Sequence, residues 1–132
     1  MKLTSSAVLL VLLAVAGCGG EDSSFTEDYN RAVRPLSGLG QVGTKPAAFE
    51  RLARGTERTR MNLAKLEAPE DAQDEFDALL ARLDDVTRDL GAVATAERSR
   101  DVVKQRRAAR RLVRSSNAVE RAETALKQAV EG

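Results

Sequence analysis

The sequence predicts an all-α protein: an up-down helical bundle of three long helices plus a short N-terminal helix, after a cleaved signal peptide. Good helix formers dominate the 132 residues, isoleucine is absent and only four residues are aromatic. Apolar residues recur at steps of three and four in four segments. Proline, glycine or polar residues separate these segments, and their total length suits a single domain.

The first two helices are predicted from capping signals and from apolar spacing. Ser24 and Glu27 have the spacing of a capping box at the start of helix one, and Pro35 kinks or stops that helix. Helix two is predicted to start at Thr44, with Pro46 in its first turn, and to end at the Ala-Pro step that contains Pro69. The expected buried stripes are Phe25, Tyr29, Val33 and Leu36 in helix one, and Phe49, Leu52, Thr56, Thr59, Leu63 and Leu66 in helix two.

Helices three and four carry the longest periodic patterns. Helix three is predicted from about Glu70 to Ala96, and helix four from a break near Ser99 to about Val130. Neither Gly nor Pro marks that break, so a continuous helix over 70–130 is the alternative. Short connections between helices favour antiparallel neighbours, whether residues 70–130 form one helix or two. The expected buried stripes are Phe76, Leu79, Leu83, Val86, Leu90 and Val93 in helix three, and Ala109, Leu112, Ser116, Val119, Leu126 and Val130 in helix four.

The N-terminal residues have the order of regions found in a signal peptide. Lys2 supplies the positive charge, and Ala7 to Ala16 form an unbroken apolar run, shorter than the roughly 20 residues needed to cross a bilayer. The Val-Ala-Gly-Cys sequence at 15–18 resembles the lipobox of bacterial lipoproteins. That resemblance implies that diacylglycerol is attached to the Cys18 thiol and that cleavage occurs between Gly17 and Cys18. An ordinary secretory signal with an incidental cysteine is the alternative.

The predicted organisation has three parts. Residues 1–17 form the signal peptide, residues 18–24 a flexible tether rich in Gly, Ser and acids, and residues 25–132 the helical bundle domain. Two or more acyl chains anchor a protein stably to a membrane. The lipoprotein resemblance therefore implies a location on the extracytoplasmic face of the cell membrane, held through Cys18. The sequence leaves inner and outer membrane open.

The charges of the mature chain balance but are segregated. Lys2 is the one basic residue of the 21 in the leader, and none of the 20 acidic residues lies there, so 20 of each sign remain. A neutral chain argues against nucleic-acid binding, which needs a sustained positive field. Residues 67–89 contain nine acids and two bases, whereas residues 98–114 contain eight bases and one acid.

Two interpretations of this segregation are open. In the first, helices three and four pair acids with bases across their interface, which sets their register. In the second, a basic docking face meets an anionic wall polymer, lipid head groups or an acidic protein. Because this end of an up-down bundle lies far from the anchor, we expect a wall polymer or an envelope protein rather than the home membrane. The expected pairs join Asp84, Asp85 and Asp89 to Arg106, Arg107 and Arg110, and the docking face consists of Lys104, Arg107, Arg111 and Arg114.

The sequence predicts no catalytic, metal or cofactor site. Its lack of histidine removes the usual general base near neutral pH and the commonest metal ligand. Asp84 and Asp85 are adjacent, so on a helix they point about 100° apart and are expected to be solvated. Ser115 and Ser116 have no basic partner of the serine-hydrolase type. We therefore expect the protein not to be an enzyme.

Three short patterns add a second resemblance. They are Cys-Gly-Gly at 18–20 before acidic residues, Phe-x-x-x-Tyr-Asn at 25–30, and Leu-x-x-Leu before Ala-Pro at 63–69. In these the chain resembles small helical lipoproteins of actinobacterial type, a likeness that implies no activity. The first functional hypothesis is a non-catalytic interaction module that binds a wall or membrane-protein partner.

The alternative function is a small ligand-binding or chaperone-like envelope lipoprotein whose apolar seam opens to receive an apolar molecule or segment. A solid core with an exposed Arg-rich face favours the interaction module, and association into an oligomer is open for both. A cavity lined by apolar side chains of helices two and three favours the alternative. The expected lining is Phe49, Leu63, Phe76 and Leu83.

Overall fold

The fold is a bundle of four helices, seen in a computed structural model that describes residues 21–37 and 45–132. No strand occurs among these residues. The predicted all-α class, with three long helices and a shorter N-terminal one, is confirmed. The elements are α1 (Glu21–Ser37), α2 (Pro46–Leu63), a short 3-10 helix (Glu70–Ala72), α3 (Gln73–Ser99) and α4 (Val102–Glu131).

The four helices alternate in direction. The ring of Phe25, near the start of α1, contacts the ring of Phe76 edge-on at 5.4 Å between centroids, near the start of α3. Arg98, at the end of α3, pairs with Glu50, at the start of α2. Helix α4 then returns antiparallel to α3. This is the predicted up-down arrangement, with α1 packed against α2 and reaching α3 through Phe25.

Helix α1 begins earlier than the sequence predicted. Its first residue is Glu21, so residues 21–24 belong to the helix rather than to the flexible tether predicted over 18–24. Ser24 and Glu27 lie inside the helix, and the predicted capping box is wrong. Residues 18–20 lie outside the described part of the chain.

Helix α2 begins at Pro46, two residues after the predicted start, and ends earlier than predicted. Pro46 occupies its first turn, where the missing N–H leaves no hydrogen bond unmade. The helix ends at Leu63, and the N–H of Leu66 donates to the carbonyl of Leu63 in the following turn. Of the predicted stripe, three residues are buried and three lie half-buried at its edge. The buried ones are Thr56, Thr59 and Leu63, and the half-buried ones are Phe49, Leu52 and Leu66.

Helices α3 and α4 are separate, and the continuous helix over 70–130 is wrong. Arg100 between them has φ 56° and ψ 17°, a left-handed conformation that stops a right-handed helix. Asp101 then starts α4. All six residues of the stripe predicted for α3 are buried. The break carries neither Gly nor Pro, so only its polar character marked it in the sequence.

The buried face of α4 is rotated from the predicted one. Val119 and Leu126 are buried as predicted, whereas Ala109, Leu112 and Ser116 are half-buried, like Val130. The observed buried residues are Ala108, Ser115, Val119, Glu123 and Leu126.

The core is divided into a large and a small cluster. The large cluster combines residues from all four helices, with Phe76 and Leu79 at its centre. The small cluster consists of Val93, Ala96 and Ala108, with Phe49 and Leu112 packed at its edge. The small cluster lies at the α3–α4 turn, so this end of the bundle has the thinner core.

Candidate functional site

The start of α4 is fixed by Asp101. Its carboxylate accepts hydrogen bonds from the N–H groups of Val103 and Lys104, at 2.9 and 3.1 Å. A cationic side chain in the first turn of a helix is disfavoured by the helix dipole, and the capping carboxylate offsets that cost. The cap therefore determines where the basic run of α4 begins and which way it faces.

The predicted docking residues share one exposed surface, called here the basic face. They step by three, four and three, which places them within an arc of about 80° over about 15 Å of helix. All four are exposed, and none makes an ion pair with any residue in the described ranges. The basic face consists of Lys104, Arg107, Arg111 and Arg114. Four cations are thus left to solvent or to a partner.

The ion pairs predicted between α3 and α4 are wrong. Asp84 and Asp85 pair instead with Arg82 and Arg88 of their own helix, at 3.1–3.4 Å. Residues equally far from the turn at Arg100 lie side by side in this antiparallel hairpin. Arg106 is therefore level with about position 95 of α3, and Asp84 with about position 117 of α4. The position of the turn puts the acids and bases at different heights.

The bundle consequently has an acidic and a basic end. Five exposed acids lie around the start of α3, at the end where Phe25 contacts Phe76. They are Glu67, Glu70, Asp71, Asp74 and Asp77. The basic face lies toward the opposite end, across a helix α3 that is about 40 Å long. The start of α1 thus belongs to the acidic end.

Glu123 is a buried acid that the sequence analysis missed. It is 7% exposed on the buried face of α4. The pKa of Tyr29 on α1 is raised mainly by burial and to a smaller extent by the charge of Glu123. Burial, with a smaller contribution from Glu120, raises the pKa of Glu123 to about 7. The spacing of 119, 123 and 126 on the helix was a signal that could have revealed it.

Exposed valines beside the basic residues were also missed. Val102, Val103 and Val113 are 56%, 64% and 54% exposed, and Met61 on α2 is the other large apolar residue of comparable exposure in the described ranges. Plotting α4 at 100° per residue places these valines away from the buried face, which was the available signal. This half of α4 therefore exposes apolar side chains among its cations.

The residues proposed to line a cavity form a packed interior. Leu63, Phe76 and Leu83 are buried in the large core cluster, and Phe49 packs against that cluster from its edge. Phe76 in addition contacts the ring of Phe25. The four side chains are therefore part of the packed core.

The chain has no match among protein-family models, curated proteins or solved structures. Over 21–37 and 45–132, no helix is long and apolar enough to span a membrane. Within those ranges no group of three or more His, Cys, Asp or Glu side chains is arranged to hold a metal ion. Gly17 and Cys18, the residues of the predicted cleavage and lipidation, lie outside the described residues.

Proposed function

We propose that the protein is a lipid-anchored, non-catalytic component of the bacterial cell envelope. In this proposal, Cys18 carries the acyl chains on the extracytoplasmic face of the cell membrane, and the bundle is an interaction module. Its basic face binds an anionic partner, either a wall polymer or a membrane protein. The lipobox sequence at 15–18 supports the anchor, and the unpaired basic face supports the binding role.

One observation carries the binding role. The four cations of the basic face are exposed and unpaired within the described residues, although residues 18–132 contain 20 acids for their 20 bases. Arginine forks bind carboxylate and phosphate groups in two parallel hydrogen bonds, which suits an anionic partner. The acidic end, where α1 begins, leaves the basic face directed away from the proposed anchor.

The anchor is tested on protein isolated from its own cells. Mass measurement is expected to show cleavage before Cys18 and the added mass of a diacylglyceryl group. Cys18→Ala is expected to lack the diacylglyceryl mass and to keep the leader, because the lipoprotein resemblance implies that cleavage occurs just before the modified residue. A native Cys18 without acyl chains, or an uncleaved leader, would contradict the anchor.

The basic face is tested with two matched variants. One changes Lys104, Arg107, Arg111 and Arg114 to Gln, and the control changes Arg51, Arg54, Arg58 and Lys65, which are exposed on or just after α2. Both remove three arginines and one lysine. Binding to purified cell walls, and formaldehyde adducts in intact cells, are expected to fall at least tenfold in the first variant only. If the two variants bound cell walls and formed adducts equally well, the basic face would have no role in the proposed function.

A further inference from the structure

Five residues on α4 form a second surface, called here the valine–arginine strip. They are Val102, Val103, Arg106, Arg110 and Val113. At 100° per residue they share an arc of about 100°, whose centre is about 110° around the helix from the centre of the basic face. All five are exposed, and the three valines are each more than half exposed. The strip and the basic face are thus different sides of one helix.

The strip combines apolar and cationic side chains without any acid. Residues 102–119 contain no Asp or Glu. Arg106 and Arg110 make no ion pair with any residue that the structure describes. Three of the four large apolar side chains that are exposed over residues 21–37 and 45–132 lie in this strip. The strip extends along α4, on the side of the bundle, for about 17 Å.

We infer that the valine–arginine strip docks side-on against an anionic lipid surface. In this contact, Val102, Val103 and Val113 reach the boundary between head groups and acyl chains, and Arg106 and Arg110 bind lipid phosphates. Amphipathic helices bind membranes in this way, with apolar residues inserted and arginines extended toward the head groups. The inference goes beyond the proposed function, because it concerns another side of α4 and requires no acyl chain on Cys18.

The chemistry of the strip favours a lipid surface over the other candidate partners. A soluble polyanion would bind the arginines but would gain nothing from exposed valines. A protein hot spot is usually built from Trp, Tyr or Arg seated in a packed pocket, whereas these valines project from a convex helix. An anionic membrane offers both partners at once: phosphates at its surface and hydrocarbon directly beneath.

Vesicle flotation of residues 18–132 carrying Cys18→Ser tests the inference. The serine removes any acyl chain, and leaving out the apolar run of the leader removes the other membrane-binding segment, so binding belongs to the bundle domain. Vesicles of phosphatidylcholine alone are compared with vesicles containing about 30 mol% phosphatidylglycerol, whose negative surface attracts basic segments. Binding is expected only to the anionic vesicles and to weaken as salt rises, because the Debye length shortens.

Two variants separate the apolar and cationic contributions. Val102→Ser/Val103→Ser/Val113→Ser keeps every charge and is expected to weaken vesicle binding about tenfold. Arg106→Gln/Arg110→Gln is expected to weaken it about 25-fold, since each cation near an anionic surface contributes about a factor of five. Met61→Ser and Arg51→Gln/Arg58→Gln, on α2, are matched controls expected to bind like the parent. Circular dichroism shows that each variant keeps its helices.

The valine variant decides between lipid and polyanion. Soluble polyphosphate is expected to bind the parent and the valine variant equally, because the valines do not contact it. If the valine variant also bound anionic vesicles as well as the parent does, charge alone would explain the binding and the lipid contact would be refuted. Failure of the folded parent to bind anionic vesicles at 0.1 M salt would refute it equally. The vesicle result does not depend on where Cys18→Ala is found in cells, so the two proposals can fail separately.

Discussion

At the scale of single residues, Glu123 is the most unusual side chain of the bundle. An ionised carboxylate loses most of its hydration when it is buried, and this loss is the main reason that the pKa of Glu123 rises to about 7. The folded protein therefore binds the Glu123 proton more tightly than the unfolded chain does. As pH falls from above 7 toward 4.5, this group adds stability, and that contribution is absent at alkaline pH.

Glu123→Gln is expected to stabilise the fold at pH 8 by about 1–3 kcal/mol, from about 1.4 kcal/mol per pKa unit. The amide has nearly the shape of the carboxyl group and no charge to bury. Near pH 5 the parent and variant should have nearly equal stability, because Glu123 is then protonated. Denaturant unfolding from pH 5 to 9 measures both.

Glu120→Gln is the control for that experiment. Glu120 is exposed one turn before Glu123, and its charge is the smaller cause of the raised pKa. Its removal is expected to lower the pKa of Glu123 slightly and to change the unfolding free energy by less than Glu123→Gln does. If the difference in unfolding free energy between the parent and Glu123→Gln did not change between pH 5 and 8, the burial of Glu123 as an acid would be contradicted.

At the scale of elements, the turn between α3 and α4 controls the register of the hairpin. Arg100 has a left-handed backbone, a conformation that costs an L-residue with a side chain about 1 kcal/mol and that glycine adopts freely. Asp101 then caps α4 with two hydrogen bonds to backbone N–H groups. The two residues together end one helix and begin the next.

Arg100→Gly is expected to stabilise the fold by about 0.5–1 kcal/mol, because it relieves the left-handed strain at a helix C-terminus. Arg100→Val, whose β-branched side chain tolerates a positive φ poorly, is the opposing control and should destabilise it. Thermal unfolding at one pH measures both changes. The reverse order of stability would mean that the turn has another backbone conformation in solution.

At the scale of the whole molecule, α1 is a short helix attached to a three-helix core. It contributes Phe25, Tyr29 and Val33 to the large cluster, and the contact between Phe25 and Phe76 joins it to α3. Helix α3 packs against both α2 and α4, and the second, smaller cluster that these helices form contains no residue of α1. We therefore expect α1 to be the least firmly held element.

Phe25→Ala is expected to cost about 3 kcal/mol and to release α1 from the bundle, since a buried ring and its aromatic partner are both lost. Hydrogen exchange should accelerate most over residues 25–36, with smaller changes in α3. Phe49→Ala, at the half-buried edge of both clusters, is the control and should leave exchange in α1 nearly unchanged. Uniform acceleration across all helices in Phe25→Ala would show that α1 unfolds together with the core.

Local sequence patterns were sufficient to predict the four helices and most of their buried residues. The apolar stripe of α3 was predicted residue by residue, because side chains three and four apart share one side of a helix wherever it packs. Pro46 likewise marked the start of α2 through a local rule. The exposure of the basic face also followed from local spacing, since four charged residues on one side rarely enter a core.

Contacts between residues on different helices could be read from the three-dimensional arrangement alone. The turn at Arg100 set the heights of α3 and α4, and so it separated Asp84 from Arg106 and left the basic residues unpaired. The packing of α4 in the bundle placed Ala108 and Ser115 on its buried face and enclosed Glu123. These outcomes depend on where distant segments stop and how their surfaces fit, and no periodicity within a single helix encodes that fit.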